Sequence, residues 1–395
     1  MDIAEISTHI LRVPLGEQRF YSSQAAFGER KSLLVRVVTT DGLVGWGEGG
    51  QYGPAEPVAA AIEHVLGPLL IGRRADQPVR LWEELYAFSR DFGRKGTYIE
   101  AISALDIALW DVWGKSLDRP VHALLGGAHR DRVGAYATGG YYSDRYADQA
   151  AAIAELREQA QTYVGSGFNA LKVKIGLLPV ALDAQRVAVV RESIGTEIAL
   201  LVDANHAYNA ATAIRMGRAL EDQGVLWFEE PVVPEDRDGY RRVRDAVDVP
   251  IAGGEAEFTR YGFRSLLTHG CVDIIQPDIC AMGGFSEFTK VLALASSFGV
   301  LTVPHVWGSG VALAAATHAL AVIPATPHTY APVPLENAPV IEYDRSPNAL
   351  RDDLLTEGFP LTDGSVAVPQ GPGLGVQIDE DVLRHYTTAS ATVSR

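Results

Sequence analysis

Two cysteines, Cys271 and Cys280, stand in a chain of 395 residues. A disulfide framework is therefore not the scaffold, and so low a thiol content suits a reducing compartment. A cationic surplus is missing as well: 34 Lys and Arg face 49 Asp and Glu, for a formal net charge of -15. That argues against nucleic acid or an anionic membrane as the main partner, since both need a positive patch. It leaves an anionic substrate open, because a metal or a few lysines reverse the field locally. No stretch of about 18 apolar residues runs free of charge, Gly or Pro, so no membrane-spanning helix is expected. The opening MDIAEISTHILRV has early acids and no long apolar run. It does not read as a signal peptide, and a cytoplasmic location is the expectation.

What is present fits a soluble globular enzyme-sized chain, with 47% hydrophobic and 21% charged residues. The length allows a substantial core and more than one domain. Residues 3–13 and 32–38 read as strands; Asp41-Gly42 makes a turn and LVGWGE follows as a third strand. Helical spacing predicts helices over 55–71, 78–92 and 97–115, so residues 1–125 are expected to form an α+β domain. From about residue 130 short apolar runs alternate with helical segments. The runs are VGAYATG, ALKVKIG, IALLVDAN, VLWFEEP, VPIAGGE, VDIIQPD and VLTVPH. Seven such strand–helix units predict an α/β fold of the TIM-barrel type over 126–345, with an eighth strand near 339–343. The tail 346–395, with its short apolar stretch SVAVP, is expected to return to the first domain.

Chemistry in such a barrel sits at the C-terminal ends of the strands. Those ends carry Lys172 and Lys174, Asp203 and Asn205, Glu229, Glu255, Asp278 and His305. Residues two apart in a strand face one side. Lys172 and Lys174 therefore share the barrel mouth, and Glu229, in phase with Trp227, is expected there rather than Glu230. Three carboxylates in one mouth repel each other unless a cation is present. An all-oxygen set without thiolate or clustered His favours Mg2+ over Zn2+, so Asp203, Glu229 and Glu255 are the expected metal ligands. The competing reading, a structural ion-pair cluster, needs as many bases, and only Lys172 and Lys174 are evident on these strands. A lysine next to another lysine and a divalent cation has its pKa lowered, so Lys174 is expected to be partly neutral and able to act as a base. Asp278 is placed to orient His305 as a second proton carrier. A zinc hydrolase on the same scaffold would want a His-x-His pair on the first strand, and AYATGG has none.

These residues resemble the enolase superfamily, specifically its mandelate racemase branch. The motifs are GWGE, KVKIG, DANH, WFEEPVVPE, AGGE, QPD and VPHVWG, spread over nearly the whole chain. The intervals Asp203–Glu229, Glu229–Glu255, Glu255–Asp278 and Asp278–His305 are 26, 26, 23 and 27 residues, similar to the family's own. The resemblance implies a modified barrel of (β/α)7β type with a capping domain built from both chain ends. It implies Mg2+ at the three acids, Lys174 and the His305–Asp278 dyad as acid/base groups around an ene-diolate, with Lys172 nearby. A further glutamate that donates to the substrate carboxylate falls on Glu342, with Glu336 as the other candidate. Asn205 and His206 are expected to touch substrate hydroxyls or metal-bound groups. Trp307 is expected as a pocket wall. Two glycine-containing loops of the cap, 16–31 and 49–57, are candidate lids, and Tyr21, Arg30 and Tyr52 on them candidate readers of substrate. Within the branch, YATGG, GGFSE and EYDRSPNALR resemble the galactarolactone cycloisomerases. That implies a small-molecule carboxylate, a sugar acid or its lactone, opened to a 3-deoxy-2-keto hexarate. Acid-sugar dehydratases, racemases and a non-catalytic binding protein are the other readings. The resemblance also implies a homo-oligomer.

Overall fold

The computed structural model describes residues 1–50 and 53–394. An antiparallel sheet runs in the order Thr387–Ser394, Ile3–Pro14, Glu29–Thr39, Val44–Gly49. The last strand of the chain thus pairs with the first, Ile6 opposite Val393. The stretch SVAVP does not make this return: Ser365–Ala367 pairs antiparallel with the start of the strand Arg132–Gly139 instead. Its short apolar run is absorbed by the barrel, and the return to the cap waits for residues 387–394.

The 20-residue helix Thr97–Ser116 lies directly on the cap sheet. The GWGE motif explains how it comes so close. A Cβ at Gly45 would stand 2.2 Å from the Ala108 carbonyl oxygen, and one at Gly47 would stand 2.0 Å from that of Ala104. Only glycine leaves room for the helix backbone there. The alternate residues of the strand face the other way. Trp46 packs into the large hydrophobic core, and Glu48 accepts hydrogen bonds from Ser309 and from the Ala312 amide. One strand therefore seats the helix with its glycines and ties the cap to the barrel with the residues between.

Eight parallel strands form a curled sheet: Arg132–Gly139, Ala170–Lys174, Ala199–Asp203, Val225–Glu229, Ile251–Gly253, Ile274–Ile275, Leu301–Thr302 and Ile341–Asp344. The eighth pairs with the first, Glu342 opposite Tyr136. No ladder joins the seventh to the eighth among the described residues. Helices follow the strands, from Gln149–Gly165 after the first to Gly310–Val322 after the seventh. Inside the curl, Tyr136, Leu201, Trp227, Ala252, Ile274 and Val303 fill a small apolar core. Leu201 and Trp227 lie two residues before Asp203 and Glu229. The strand period then makes the next inward layer polar, and that layer is the mouth. No described helix is long and apolar enough to cross a membrane.

Candidate active site

The mouth opens on a cavity of about 280 Å3, lined by Lys174, Asn205, His206, Glu255 and His305 from the barrel. Register delivers the acids. Lys174 is opposite Asp203, and Asp203 is opposite Glu229, on three neighbouring strands. Glu255 follows just beyond the end of the next strand. One carboxylate oxygen from each of Asp203, Glu229 and Glu255 lies within 4.8 Å of the others. Glu230, next in sequence, has a left-handed backbone, φ 46°, and its Oε2 lies 3.2 Å from His206 Nε2. Glu229, and not Glu230, is the member of this pair whose carboxylate falls in that cluster.

Lys172 Nζ sits between Glu229 and Glu342, 2.7 Å from an oxygen of each. Lys174 Nζ donates to Asp203 Oδ2. The second oxygen of Glu229 accepts from Gln276 Nε2 at 2.7 Å and from Trp227 Nε1 at 3.2 Å. His305 Nδ1 is 2.7 Å from Asp278 Oδ2, while Nε2 is 3.5 Å from Glu255 Oε2 and 3.8 Å from Glu342 Oε2. Lys174 ends the second strand and His305 follows the seventh, with the triad on the strands between them. Lys174 and His305 therefore enter the cavity from different flanks.

The charge balance is uneven. Asp203, Glu229, Glu230, Glu255, Asp278 and Glu342 are all buried, against two lysines and the rings of His206 and His305. Even with both rings protonated, the acids outnumber the bases. Burial, reinforced by Asp203, Glu342 and Glu255, pushes Glu229 up to about 7 in spite of Lys172. Burial, with Glu255, Asp203 and Glu229 adding to it, carries Glu230 well above its ordinary value. Glu255 Oε2 has no hydrogen-bond partner. An orphaned carboxylate oxygen in an all-oxygen, over-acidic cluster is what a divalent cation would satisfy, so the donor set fits Mg2+.

The expected depression of the Lys174 pKa is not what these residues produce by themselves. Burial and Lys172 pull it down, but Asp203, Glu255 and Glu229 outweigh them and the net direction is up. The acids hold the ammonium charged until something neutralises them. His305 behaves alike: burial lowers it, while Glu255, Glu342 and Asp278 raise it to about 9. Glu342 sits among cations. Burial raises its pKa, but Lys172, His305 and Lys174 bring it down to about 2. As a carboxylate it accepts, from Thr138, Lys172 and the Val306 amide. Glu336 is exposed and far from this role.

Asn205 and His206 both adopt positive φ, 44° and 64°, and line the cavity. The Asn205 amide donates to Asp203 Oδ1 at 2.8 Å, leaving its own Oδ1 without a partner. His206 Nε2 lies 3.2 Å from Glu230 Oε2. Trp307 forms a wall, as expected. Two cap residues do not reach the cavity. Tyr21 gives its hydroxyl to Asp144 and pairs its backbone with Tyr142. Arg30 is buried behind Trp307, its guanidinium 4.1 Å from that ring centre, and is held by Asp344, Ser346 and the Pro347 carbonyl. Both fasten the cap loop to the barrel rather than read substrate. Tyr52 lies outside the described residues. The cap wall is made by Ser22, Gln24, Ala25 and Phe27. Sequence reading also missed Tyr141, whose ring lies 5.4 Å from Lys174 Nζ. Gly140, at φ 58°, breaks the strand period just before it and hides the signal.

Residues 6–126 match the family description "Mandelate racemase / muconate lactonizing enzyme, N-terminal domain", and residues 155–382 match "Enolase C-terminal domain-like". The D-galactarolactone cycloisomerase of Agrobacterium fabrum is 43% identical over 389 residues, covering 98% of this chain and 99% of that one. The arabinonate dehydratase of Saccharolobus solfataricus is 36% identical over 358 residues, 91% of each. A racemase from Streptomyces coelicolor, solved with bound magnesium, superposes with a TM-score of 0.85 at 30% identity, covering 98% of this chain and 100% of that one.

Proposed function

This chain belongs to the mandelate racemase branch of the enolase superfamily, and from that premise we propose that it opens the lactone of a galactaro-type sugar acid. One observation carries the reading: Lys174 and an Asp278-backed His305 enter a single cavity from different flanks, beside a triad of acids. Mg2+ held by Asp203, Glu229 and Glu255 would supply positive charge for the substrate carboxylate as negative charge develops on it.

Lys174 removes the proton α to the substrate carboxylate. The electron pair moves toward the β-carbon, and the bond from that carbon to the ring oxygen breaks. The freed oxygen becomes part of the carboxylate of the opened lactone, so it needs no proton to leave. While its hydroxyl gives one proton up to solvent, the enol that remains takes another on the former β-carbon and becomes a 3-deoxy-2-keto hexarate. His305, oriented by Asp278, returns that proton from its own flank. Two protons leave and one arrives, the net proton being that of the new carboxylic acid, so substrate and product are isomers as neutral acids. Lys172, between Glu229 and Glu342, keeps a fixed positive charge near the developing anion. Trp307, Tyr141 and Phe27 pack on one another as an aromatic wall of the cavity.

A dehydratase is the second reading. The 36% identity to an arabinonate dehydratase favours it, as does a His305 that carries a proton and could give it to a departing hydroxide. Turnover of a panel of sugar-acid lactones and open-chain acids in D2O separates the two. Lactone opening with deuterium at C3 of the keto product supports the cycloisomerase. An inert lactone, with an open-chain acid dehydrated, would overturn it in favour of the dehydratase. Deuterium only at the α-carbon of recovered substrate would make the enzyme a racemase.

A further inference from the structure

Outside the molecule, between the cap helix Pro78–Ser89 with the loop after it and the barrel helix Thr259–Thr268, lies a groove of about 670 Å3. It shares no lining residue with the catalytic cavity. Its charge runs against the rest of the chain. In a protein of net charge -15, the groove is lined by Arg90, Arg94, Lys95, Arg237 and Arg264 against a single carboxylate, Glu257.

That carboxylate is already engaged. Glu257 is buried, bonded to Arg237 Nη2, and 3.9 Å from Lys95 Nζ. Arg237 Nη1 is buried without a hydrogen-bond partner. Arg90, Arg94 and Arg264 are exposed and enter no ion pair among the described residues. Two of these guanidiniums are steadied on rings: Arg90 lies 5.7 Å from the centre of Tyr86, and Arg264 lies 5.9 Å from that of Tyr261. The two tyrosines stack on each other, centroids 5.8 Å apart at 19°. Tyr261 remains 42% exposed. Unpaired guanidiniums gathered in a concave surface repel one another, and an anion with several oxygens relieves this through paired N–H···O contacts. Arg260 also lies 5.1 Å from the Tyr261 ring centre, and the exposed part of that ring offers an edge-to-face aromatic contact beside the guanidiniums.

We propose that this groove binds a small phosphate monoester whose other end is a flat ring. The free guanidiniums grip the phosphoryl oxygens, and Tyr261 takes the ring. Phenyl phosphate and inorganic phosphate serve as probes, titrated by calorimetry into the magnesium-loaded full chain. Phenyl phosphate is expected to bind saturably, more tightly than inorganic phosphate, and more weakly as salt rises. The variant Arg90→Gln/Arg94→Gln/Arg264→Gln should weaken it by about tenfold or more, while turnover without phosphate and the melting temperature stay as in the parent. Tyr261→Leu should erase the preference for phenyl phosphate over inorganic phosphate. Equal binding by the triple variant would overturn the proposal, and so would succinate binding as tightly as phenyl phosphate. A changed oligomeric state in the triple variant would overturn it too, by showing that a second copy of the chain occupies the groove.

Discussion

Lys174 and Asp203 stand opposite each other on neighbouring strands, and the Lys174 ammonium donates to the Asp203 carboxylate. For the proton removal proposed above, Lys174 leaves this pair only when the charge of Asp203 is taken up elsewhere, which would couple that step to occupation of the acid triad. Lys174→Ala should lower kcat by about 100- to 10,000-fold. Lys174→Arg should do nearly the same, since a guanidinium keeps the charge but does not shed the proton. Exchange of the substrate α-proton in D2O, followed by NMR, is the direct readout. Exchange at the parental rate in either variant would remove Lys174 from its role.

Metal addition should stabilise the fold through the same acids. Asp203, Glu229 and Glu255 are buried close together, and Glu229 is already pushed up to about 7. At a hundredfold excess of Mg2+ over Kd the expected gain is about 2.7 kcal/mol, read as a rise in Tm that EDTA reverses. Glu255→Gln should lose that gain and the activity together. Its metal-free form should melt no lower than metal-free parent, because one of the repelling charges is gone. A parental response to Mg2+ in Glu255→Gln would place the ion elsewhere.

How much of this was legible in the sequence depends on where regular periods run. Between Ala170 and Glu229 the strands alternate cleanly, and the inward positions of Lys172, Lys174, Asp203 and Glu229 follow from counting by two. The same counting fails past a strand end. Tyr141 lies beyond a left-handed Gly140, Arg30 lies at the start of the cap strand Glu29–Thr39 and Tyr21 in the segment before it, and both are placed by contacts with residues more than a hundred positions away. Composition says those residues are polar and exposed; it cannot say that Arg30 is buried against Asp344. The electrostatics around Lys174 divide in the same way. Its like-charged neighbour is visible in sequence, while the three acids that outweigh it arrive from other strands.

The cap loop contacts separate fastening from reading. Tyr21 Oη is spent on Asp144, outside the cavity, so Tyr21→Phe should change KM by less than about twofold; a solvent-exposed hydrogen bond of this kind is worth about 1 kcal/mol or less. Tyr141 lines the cavity next to Lys174, and its hydroxyl has no partner within the protein. Tyr141→Phe should raise KM or lower kcat more than Tyr21→Phe does. Steady-state kinetics of the two variants on the same lactone decides the order, and the reverse order would return Tyr21 to the substrate.

Acid should weaken the fold through a histidine remote from the site. Burial holds His318 down at about 4, with Nε2 donating to the Leu374 carbonyl at 3.0 Å and the His122 ring stacked at 5.4 Å. The unfolded chain takes up this proton near pH 6.5, whereas the folded chain waits until about 4. The unfolded state therefore binds more protons across that window, and stability falls as pH falls through it. The loss from this group between about pH 7 and 5 is about 2 kcal/mol. His318→Gln keeps a donor for Leu374 and does not titrate. Its urea-unfolding free energy should fall less than the parent's over the same pH range, and parallel curves would show that His318 is not the group responsible.

The glycines of GWGE are a matter of space, not of backbone freedom, since Gly45 and Gly47 have no left-handed φ. A methyl group at Gly47 would stand 2.0 Å from the Ala104 carbonyl oxygen and 2.8 Å from the Ala108 amide nitrogen. Both belong to the backbone of Thr97–Ser116, which cannot step aside as a side chain would. Gly47→Ala should therefore destabilise by about 3 kcal/mol, at the upper end for overpacking. Gly28→Ala is the control, because nothing lies within 4 Å of a Cβ there. The damage should also reach the site. Glu48, the next residue, binds Ser309, the N-cap of the helix that begins just after His305 and Trp307. If the helix is pushed off the sheet, Glu48 moves with the strand and that cap loosens. Urea unfolding should show the stability loss, and kcat should drop in Gly47→Ala under conditions where the protein is still folded. A fully active, fully stable Gly47→Ala would mean that helix and sheet are not packed as closely as the motif demands.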